Sequence, residues 1–241
     1  MGKKFFTAIM YFSIAAAVLW AAARLTGVLL SYKMPTVANE PAIKLNEQLF
    51  VSPLKKPAPY SFIVFASACQ DSLLHALDTT TIYHGALYLY RACGMPGDIV
   101  TMKNGVLFIN NKNFDAVLNL KQQYKIDNNS LNQIDPKDLS TEDLQLVKDN
   151  DSAVITIDNG LKKKYEVKIK FNLLIRTDTA AQTGCFKWLD KNSTWTADNF
   201  GPLTVPAESY FVMGDNRHFA MDSRYTGFVK KEDSKGVVVN K

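Results

Sequence analysis

The sequence predicts a mainly β fold with an N-terminal transmembrane helix and an α+β insertion. Residues 5–23 are almost continuously apolar, close to the ~20 residues that a helix needs to cross a bilayer core. From residue 48 onward, short β-branched and aromatic runs alternate with proline and glycine turns, which is typical of strands. Residues 111–195 interrupt these runs with a stretch rich in Asn, Asp, Lys and Gln.

Composition excludes several classes of function. The net charge of +5 is spread over short basic clusters without interleaved aromatic residues, so we expect no nucleic-acid partner. Cys69, Cys93 and Cys185 show no CxxC spacing, and the chain has only 3 histidines. Neither a zinc site nor a disulfide framework can be read from this pattern. We therefore expect no metal and no cofactor, and two of the cysteines are free to pair.

Residues 1–33 are predicted to hold a short cytoplasmic segment and a membrane anchor. Lys3 and Lys4 precede the apolar run, which favours a cytoplasmic N-terminus with the rest of the chain outside. Arg24 can extend its charged group to the membrane interface. A cleaved signal peptide is the alternative, with the alanines at 21–23 as its cleavage site. The apolar run exceeds the 7–15 residues of such a peptide, so we favour an uncleaved anchor.

The β core is predicted to comprise residues 34–110 and 196–241. Residues 67–80 are polar with scattered leucines and predict a loop or short helix. Asn104-Gly105 predicts a type I′ hairpin turn. The predicted strands of the core are residues 48–51, 61–65, 82–90, 99–102 and 106–109, with a further strand ending at 213.

The insertion, residues 111–195, is predicted to be α+β. Its leucines have helical spacing over residues 139–147, and Ser140 with Asp143 resembles a helix-start box. Residues 165–169 alternate between polar and apolar side chains, which predicts a strand.

Two polar or proline-rich stretches stand out within the core. Residues 214–227 contain GDNR and then DSR, two Asp–Arg pairs in ten residues, which predicts an ion-pair network in a buried loop. Residues 34–43 are bracketed by Pro35 and Pro41, and each proline restricts its own φ and extends the residue before it. This stiff, donor-poor stretch is suited to lie alongside a bound peptide.

These motifs together resemble the type I signal peptidases, which are membrane-anchored serine endopeptidases. The resemblance is carried by the GDNR and DSR motifs at 214–227, by R-x-x-G-x-P-G-D-x-V at 91–100 and by G-P-x-x-V-P at 201–206. It implies an N-terminal transmembrane helix and a mostly β domain outside the bacterial inner membrane. It also implies a Ser–Lys dyad, in which a neutral lysine is the general base for the serine.

The family's nucleophile motif resembles I-P-S-x-S-M-x-P-T-L, in which the second serine is the nucleophile, and it can be aligned with this chain in two registers. Anchoring its later proline on Pro35 places Tyr32 at the nucleophile and leaves residues 39–43 unexplained. Anchoring it on Pro41 accounts for more of the stretch and places Ala38 at the nucleophile.

The family's general base is also missing in this alignment. Tyr90 stands at the position of the lysine, and Ala220 stands where the family has a serine that hydrogen-bonds that lysine. Alanine has no nucleophilic atom, and a tyrosine with a pKa near ~10 is a weak base at neutral pH. We therefore expect an inactive catalytic site at Ala38 and Tyr90, and predict that Tyr90 fills the small-residue pocket or offers its ring for packing.

The resemblance also implies the surroundings of the site. Thr36, Ala220, Asp222 and Arg224 are predicted to support it, with Thr36 Oγ and the Ala38 amide as oxyanion donors. The implied partners are the signal peptides of exported preproteins, the lipid bilayer and an active signal peptidase. The predicted substrate-binding residues are Met34, Pro35, Asn39, Ile43, Leu87, Tyr88 and Leu89.

Three hypotheses of function follow. The first is a signal peptidase fold that has lost proteolysis and kept its peptide groove. The second is an active peptidase with relocated catalytic groups, for which Ser67 and Cys69 are the candidates. The third is a membrane-tethered structural subunit of an envelope complex.

Overall fold

The N-terminal helix is the first element of the chain. The computed structural model describes residues 2–81, 84–146, 151–177 and 194–241. Helix α1 spans Gly2–Leu25. Its part Phe5–Leu25, of 21 residues, reaches a mean hydropathy of 1.9 over an 18-residue window, enough to cross a membrane by length and composition. The predicted apolar helix is therefore present. It ends at Leu25, and strand β1 (Leu30–Lys33) follows within the predicted anchor segment.

The body of the chain is mainly β, as predicted. Its described strands form a seven-stranded sheet with the order β1-β2-β15-β3-β4-β13-β14, and two four-stranded sheets with the orders β12-β5-β6-β7 and β11-β8-β10-β9. The remaining strands are β2 Gln48–Ser52, β3 Phe62–Ala66, β4 Leu87–Gly94, β5 Ile99–Lys103, β6 Val106–Ile109, β7 Lys112–Asn113, β8 Lys121–Asp127, β9 Leu144–Leu146, β10 Ser152–Asp158, β11 Asn172–Leu173, β12 Phe200–Thr204, β13 Ser209–Met213, β14 Val229–Lys230 and β15 Ser234–Val238. The remaining α-helices are α2 Ala68–Leu77, α3 Asn128–Leu131, α4 Asn159–Tyr165 and α5 Ser223–Thr226.

Most of the predicted core strands form where expected, with shifted ends. The predicted strand at 82–90 begins only at Leu87 and continues to Gly94, while residues 82–83 lie outside the described residues. The hairpin between β5 and β6 has Asn104 at φ 49° and Gly105 at φ 75°, the left-handed backbone that a type I′ turn requires. The stretch that was predicted as a loop or short helix is helix α2.

Strand β13 joins the two hydrophobic clusters of the core. Tyr210 and Val212 pack into one cluster with β2, β3 and β15, whereas Phe211 and Met213 pack into the other with β5 and β12. Alternate residues of a strand point to opposite faces, so β13 is buried on both sides. The loop that begins at Gly214 therefore leaves from a rigid strand.

The insertion builds a sheet and a hydrophobic cluster of its own around β8 and β10. Two predictions within it were wrong. Ser140 and Asp143 do hydrogen-bond, but they start only a single 3-10 turn, and the leucines after it form β9 beside β10. The strand predicted at 165–169 is instead the end of α4 and a turn, because the Glu166 amide donates to the Lys162 carbonyl and the Ile169 amide donates to the Tyr165 carbonyl.

Candidate functional site

A cavity of about 420 Å³ opens between residues 34–38, helix α2 and the first half of β4. Most of the site residues predicted from the sequence line it. The predicted lining residues are Met34, Pro35, Thr36, Ala38, Leu87, Tyr88, Leu89 and Tyr90. Residues that the sequence did not indicate are Gln70, Leu74, Ala86, Phe219 and Met221.

One wall of this cavity is a strand edge. Residues 87–91 of β4 pair with β3 on one side, but β13 pairs on the other side only with residues 91–94. Within the described part of the chain, the first half of β4 thus has no strand partner on that second edge. The carbonyl of Leu89 points from this edge toward the proline-bracketed stretch and accepts a hydrogen bond from Asn39 Nδ2 (2.7 Å). An extended peptide can add to an edge of this kind as a further strand.

Asn39 and Ile43 do not line the cavity, although both were predicted to contact substrate. Each is 0% exposed. Ile43 belongs to the main hydrophobic cluster, and the Asn39 side chain is committed to the Leu89 carbonyl. Both residues therefore support the cavity wall from the protein interior and do not face the cavity.

Gly214 marks the point where Ala38, Tyr90 and Ala220 meet. A Cβ atom built on Gly214 would lie 2.4 Å from Ala220 Cβ, 2.5 Å from Ala38 O and 3.4 Å from Tyr90 Cδ1. The same Ala38 carbonyl accepts a hydrogen bond from the Asn216 amide (3.0 Å). The structure thus brings Ala38, Tyr90 and Ala220 together, although they are widely separated in the sequence.

The side chains at this meeting point are two methyl groups and a buried phenol ring. Ala38 contributes a methyl group and is 5% exposed. The Tyr90 hydroxyl accepts a hydrogen bond from Gln70 Nε2 (3.1 Å), and its ring lies 6.0 Å from that of Phe65. Burial raises the pKa of Tyr90 above its ordinary value, and the charge of Asp222 raises it further. A buried tyrosine of this kind keeps its proton at neutral pH.

The predicted oxyanion donors are neighbours at the rim of the cavity. The Ala38 amide lies 3.4 Å from Thr36 Oγ1, a distance at the long end for a hydrogen bond. The amide is thus only weakly engaged. Whether both groups meet the carbonyl of a bound peptide stays a prediction.

Helix α2 supplies two of the lining residues that sequence reasoning missed, Gln70 and Leu74. Ser67 caps this helix by accepting a hydrogen bond from the Gln70 amide (3.2 Å). A serine followed three residues later by glutamine is a signal of a helix start, and it was available in the sequence. The Gln70 side chain does not turn back to the cap, however, but reaches the Tyr90 hydroxyl.

The predicted ion-pair network exists, but its pairing differs from the sequence pattern. Only Asp222 and Arg224 pair within the loop, with Arg224 Nε 2.9 Å from Asp222 Oδ1. Asp215 pairs with Arg91 on β4, and Arg217 pairs with Asp115 after β7. The loop is thereby tied to two other parts of the core.

Asp222 also holds the loop's first residue. Its Oδ2 atom accepts a hydrogen bond from the Gly214 amide (3.1 Å), and Asp222 itself is 0% exposed. Arg224 donates further hydrogen bonds to the Arg217 carbonyl and to Asp198. These contacts fix the backbone of Gly214 against Ala38 and Ala220.

The candidates for a relocated nucleophile are engaged elsewhere. The Ser67 hydroxyl caps α2, and Cys69 is disulfide-bonded. Cys93 is free and buried, and it does not line the cavity. Cys185 lies outside the described residues.

His218 is buried and uses both ring nitrogens in hydrogen bonds. Its Nδ1 accepts a hydrogen bond from the Gln123 amide (3.1 Å), and its Nε2 donates one to the Leu174 carbonyl (2.7 Å). Burial lowers the pKa of His218 below its ordinary value. The neutral ring thus ties the loop to the insertion.

A comparison with protein families identifies the chain. The family model described as "Signal peptidase, peptidase S26" matches residues 6–240. The chain belongs to the S26 signal peptidase family. That match includes the helix, the cavity and the loop described above.

Individual signal peptidases match over part of their length. Signal peptidase I P of Bacillus subtilis subsp. natto is 29% identical over 151 residues, covering 62% of this chain and 48% of that protein. Signal peptidase I of Buchnera aphidicola subsp. Baizongia pistaciae is 29% identical over 167 residues, covering 63% of this chain and 48% of that protein. The chain therefore spans about half the length of these relatives.

A crystal structure of a signal peptidase I from Enterococcus faecalis is also similar. Its sequence is 21% identical, and the alignment covers 77% of this chain and 98% of that chain with a TM-score of 0.32. Membership of the family rests on the family model.

Proposed function

We propose that this signal peptidase I-like protein binds the signal peptides of exported preproteins in its groove and does not cleave them. Helix α1 would anchor it in the bacterial inner membrane, with the N-terminus inside and the β domain outside. A bound signal peptide would then approach the cavity from the bilayer. An active signal peptidase is the proposed partner that would receive such peptides.

The observation that carries this proposal is the chemistry of the meeting point at Gly214. The strand edge of β4 and the cavity beside it are suited to an extended peptide. Where a scissile carbonyl would lie, the chain presents the methyl groups of Ala38 and Ala220 and the protonated hydroxyl of Tyr90. None of these groups can attack a carbonyl or accept a proton from an attacking group at neutral pH.

Photo-crosslinking tests whether the groove binds a peptide. A photoreactive residue at Thr36 or Leu89, both of which line the cavity, should crosslink to a synthetic signal peptide in detergent micelles. The matched control is Val117, which is 76% exposed and lies outside the cavity lining. Equal labelling from Val117, or no labelling from Thr36 and Leu89, would refute groove binding and favour a structural subunit.

A cleavage assay tests the loss of proteolysis. The purified protein should leave a preprotein intact, and a Ser67→Ala variant should behave identically. The triple variant Ala38→Ser, Tyr90→Lys, Ala220→Ser should recover some cleavage, because the loop that positions these residues is intact. Cleavage by the unmodified protein that disappears in Ser67→Ala would instead establish a relocated nucleophile.

A further inference from the structure

The floor of the cavity carries one polar pair in a mostly apolar lining. Gln70 on α2 and Tyr90 on β4 both line the cavity and are 1% and 5% exposed. Gln70 Nε2 donates to the Tyr90 hydroxyl (3.1 Å). Their neighbours in the lining include Leu74, Ala86 and Met221.

Half of the Gln70 amide has no partner. Its Oε1 atom is buried and makes no hydrogen bond with the described residues. A buried acceptor without a partner is costly, because the group has lost its hydrogen bonds to water. Gln70 belongs to the cavity lining, so a molecule bound there is the candidate to supply the missing donor.

The same pair also offers a donor. The Tyr90 hydroxyl accepts from Gln70, so its own hydrogen remains available for another acceptor. An acceptor and a donor thus lie next to each other on the floor. A hydroxyl group satisfies both, because one oxygen donates a hydrogen bond and accepts another.

We propose that Gln70 and Tyr90 make this groove selective for a bound peptide whose inserted side chain carries a hydroxyl group, serine in preference to alanine. The inference rests on the proposed peptide-binding function and adds the chemistry of the recognised residue. Exchanging the oxygen and nitrogen of the Gln70 amide leads to the same selectivity. Tyr90 would then donate to Oε1, and the unpartnered N–H would bind the oxygen of the same hydroxyl.

The size of the effect follows from the hydrogen bonds involved. An alanine methyl group would enter the same space but leave the Gln70 acceptor unpartnered, and such a loss is of the order of tenfold in affinity. Peptide binding to full-length protein in detergent, measured by fluorescence anisotropy, tests this. The probes are signal peptides in which each of the last three residues is changed singly from alanine to serine.

At one of these positions, serine should bind about tenfold more tightly than alanine. Gln70→Met preserves the length of the side chain and should reduce the serine-to-alanine ratio to within about twofold. Tyr90→Phe should reduce the same ratio. Ser72→Ala, on the same helix but exposed and outside the cavity lining, is the matched control and should leave the ratio unchanged.

The ratio of the serine-peptide affinity to the alanine-peptide affinity separates recognition from a merely structural role, because a loosened groove would weaken the binding of both peptides equally. If all serine and alanine peptides bind the unmodified protein equally well, the groove binds peptides and the selectivity is refuted. A ratio that persists in both Gln70→Met and Tyr90→Phe also refutes it. If no peptide binds the unmodified protein, the proposed function fails and the selectivity with it.

Discussion

Replacing Gly214 with alanine tests the packing at the centre of the site. The added methyl group would lie 2.4 Å from Ala220 Cβ and 2.5 Å from the Ala38 carbonyl oxygen. Both distances fall short by about 1 Å of the 3.4 Å at which ordinary contact begins. The carbonyl cannot move freely, because the Asn216 amide binds it at 3.0 Å. Overpacking of a close-packed site costs 1–3 kcal/mol, and we expect a value near the upper end, about 2–3 kcal/mol.

Urea unfolding in detergent micelles, followed by circular dichroism, measures this loss in the free energy of unfolding. Gly160→Ala is the matched control, because its nearest neighbour would be Asp158 Oδ1 at 3.2 Å, in the first turn of α4 where alanine is favoured over glycine. Combining Gly214→Ala with Ala220→Gly should recover part of the loss by removing one of the two short contacts. A Gly214→Ala protein within about 0.5 kcal/mol of the unmodified one would refute the packing described.

Three further predictions concern the loop that supports the site. Asp222→Ala should destabilise the chain by about 3 kcal/mol in urea unfolding, the lower end of the cost of breaking a buried ion pair, because the buried Arg224 then keeps only its longer contact to the Asp198 carboxylate (3.3 Å); a loss below about 1 kcal/mol would contradict the network. Arg91→Lys should cost about 1–3 kcal/mol, because lysine cannot make the paired contacts to Asp215, and equal stability of the two proteins would count against those contacts. His218 has a lowered pKa when folded, so its unfolded form binds more protons below pH ~6.5. The free energy of unfolding should therefore fall as the pH drops through ~6.5. Its slope should exceed that of the His218→Gln variant by up to about 1.4 kcal/mol per pH unit. Identical pH profiles of urea unfolding for the two proteins would refute this assignment.

Local features of the sequence were sufficient for the N-terminal apolar helix and most of the core strands. A continuous apolar run needs no tertiary contact to form a helix, and the Asn104-Gly105 turn follows from local backbone preference. The insertion shows where such patterns are insufficient. Residues 139–147 were predicted to have helical leucine spacing, yet Leu144 and Leu146, two residues apart, lie in strand β9 beside β10. A partner edge in the sheet thus decides between two patterns that a short stretch of sequence leaves ambiguous.

In the candidate site, the sequence by itself determined which residue types stand at Ala38, Tyr90 and Ala220, and that none of them is a nucleophile or an effective base. Tertiary structure alone decided that these three positions meet at Gly214, and that Gln70 lies against Tyr90. The reason is physical. Side-chain chemistry is a property of each residue, whereas a shared cavity depends on how distant strands and helices pack around one core.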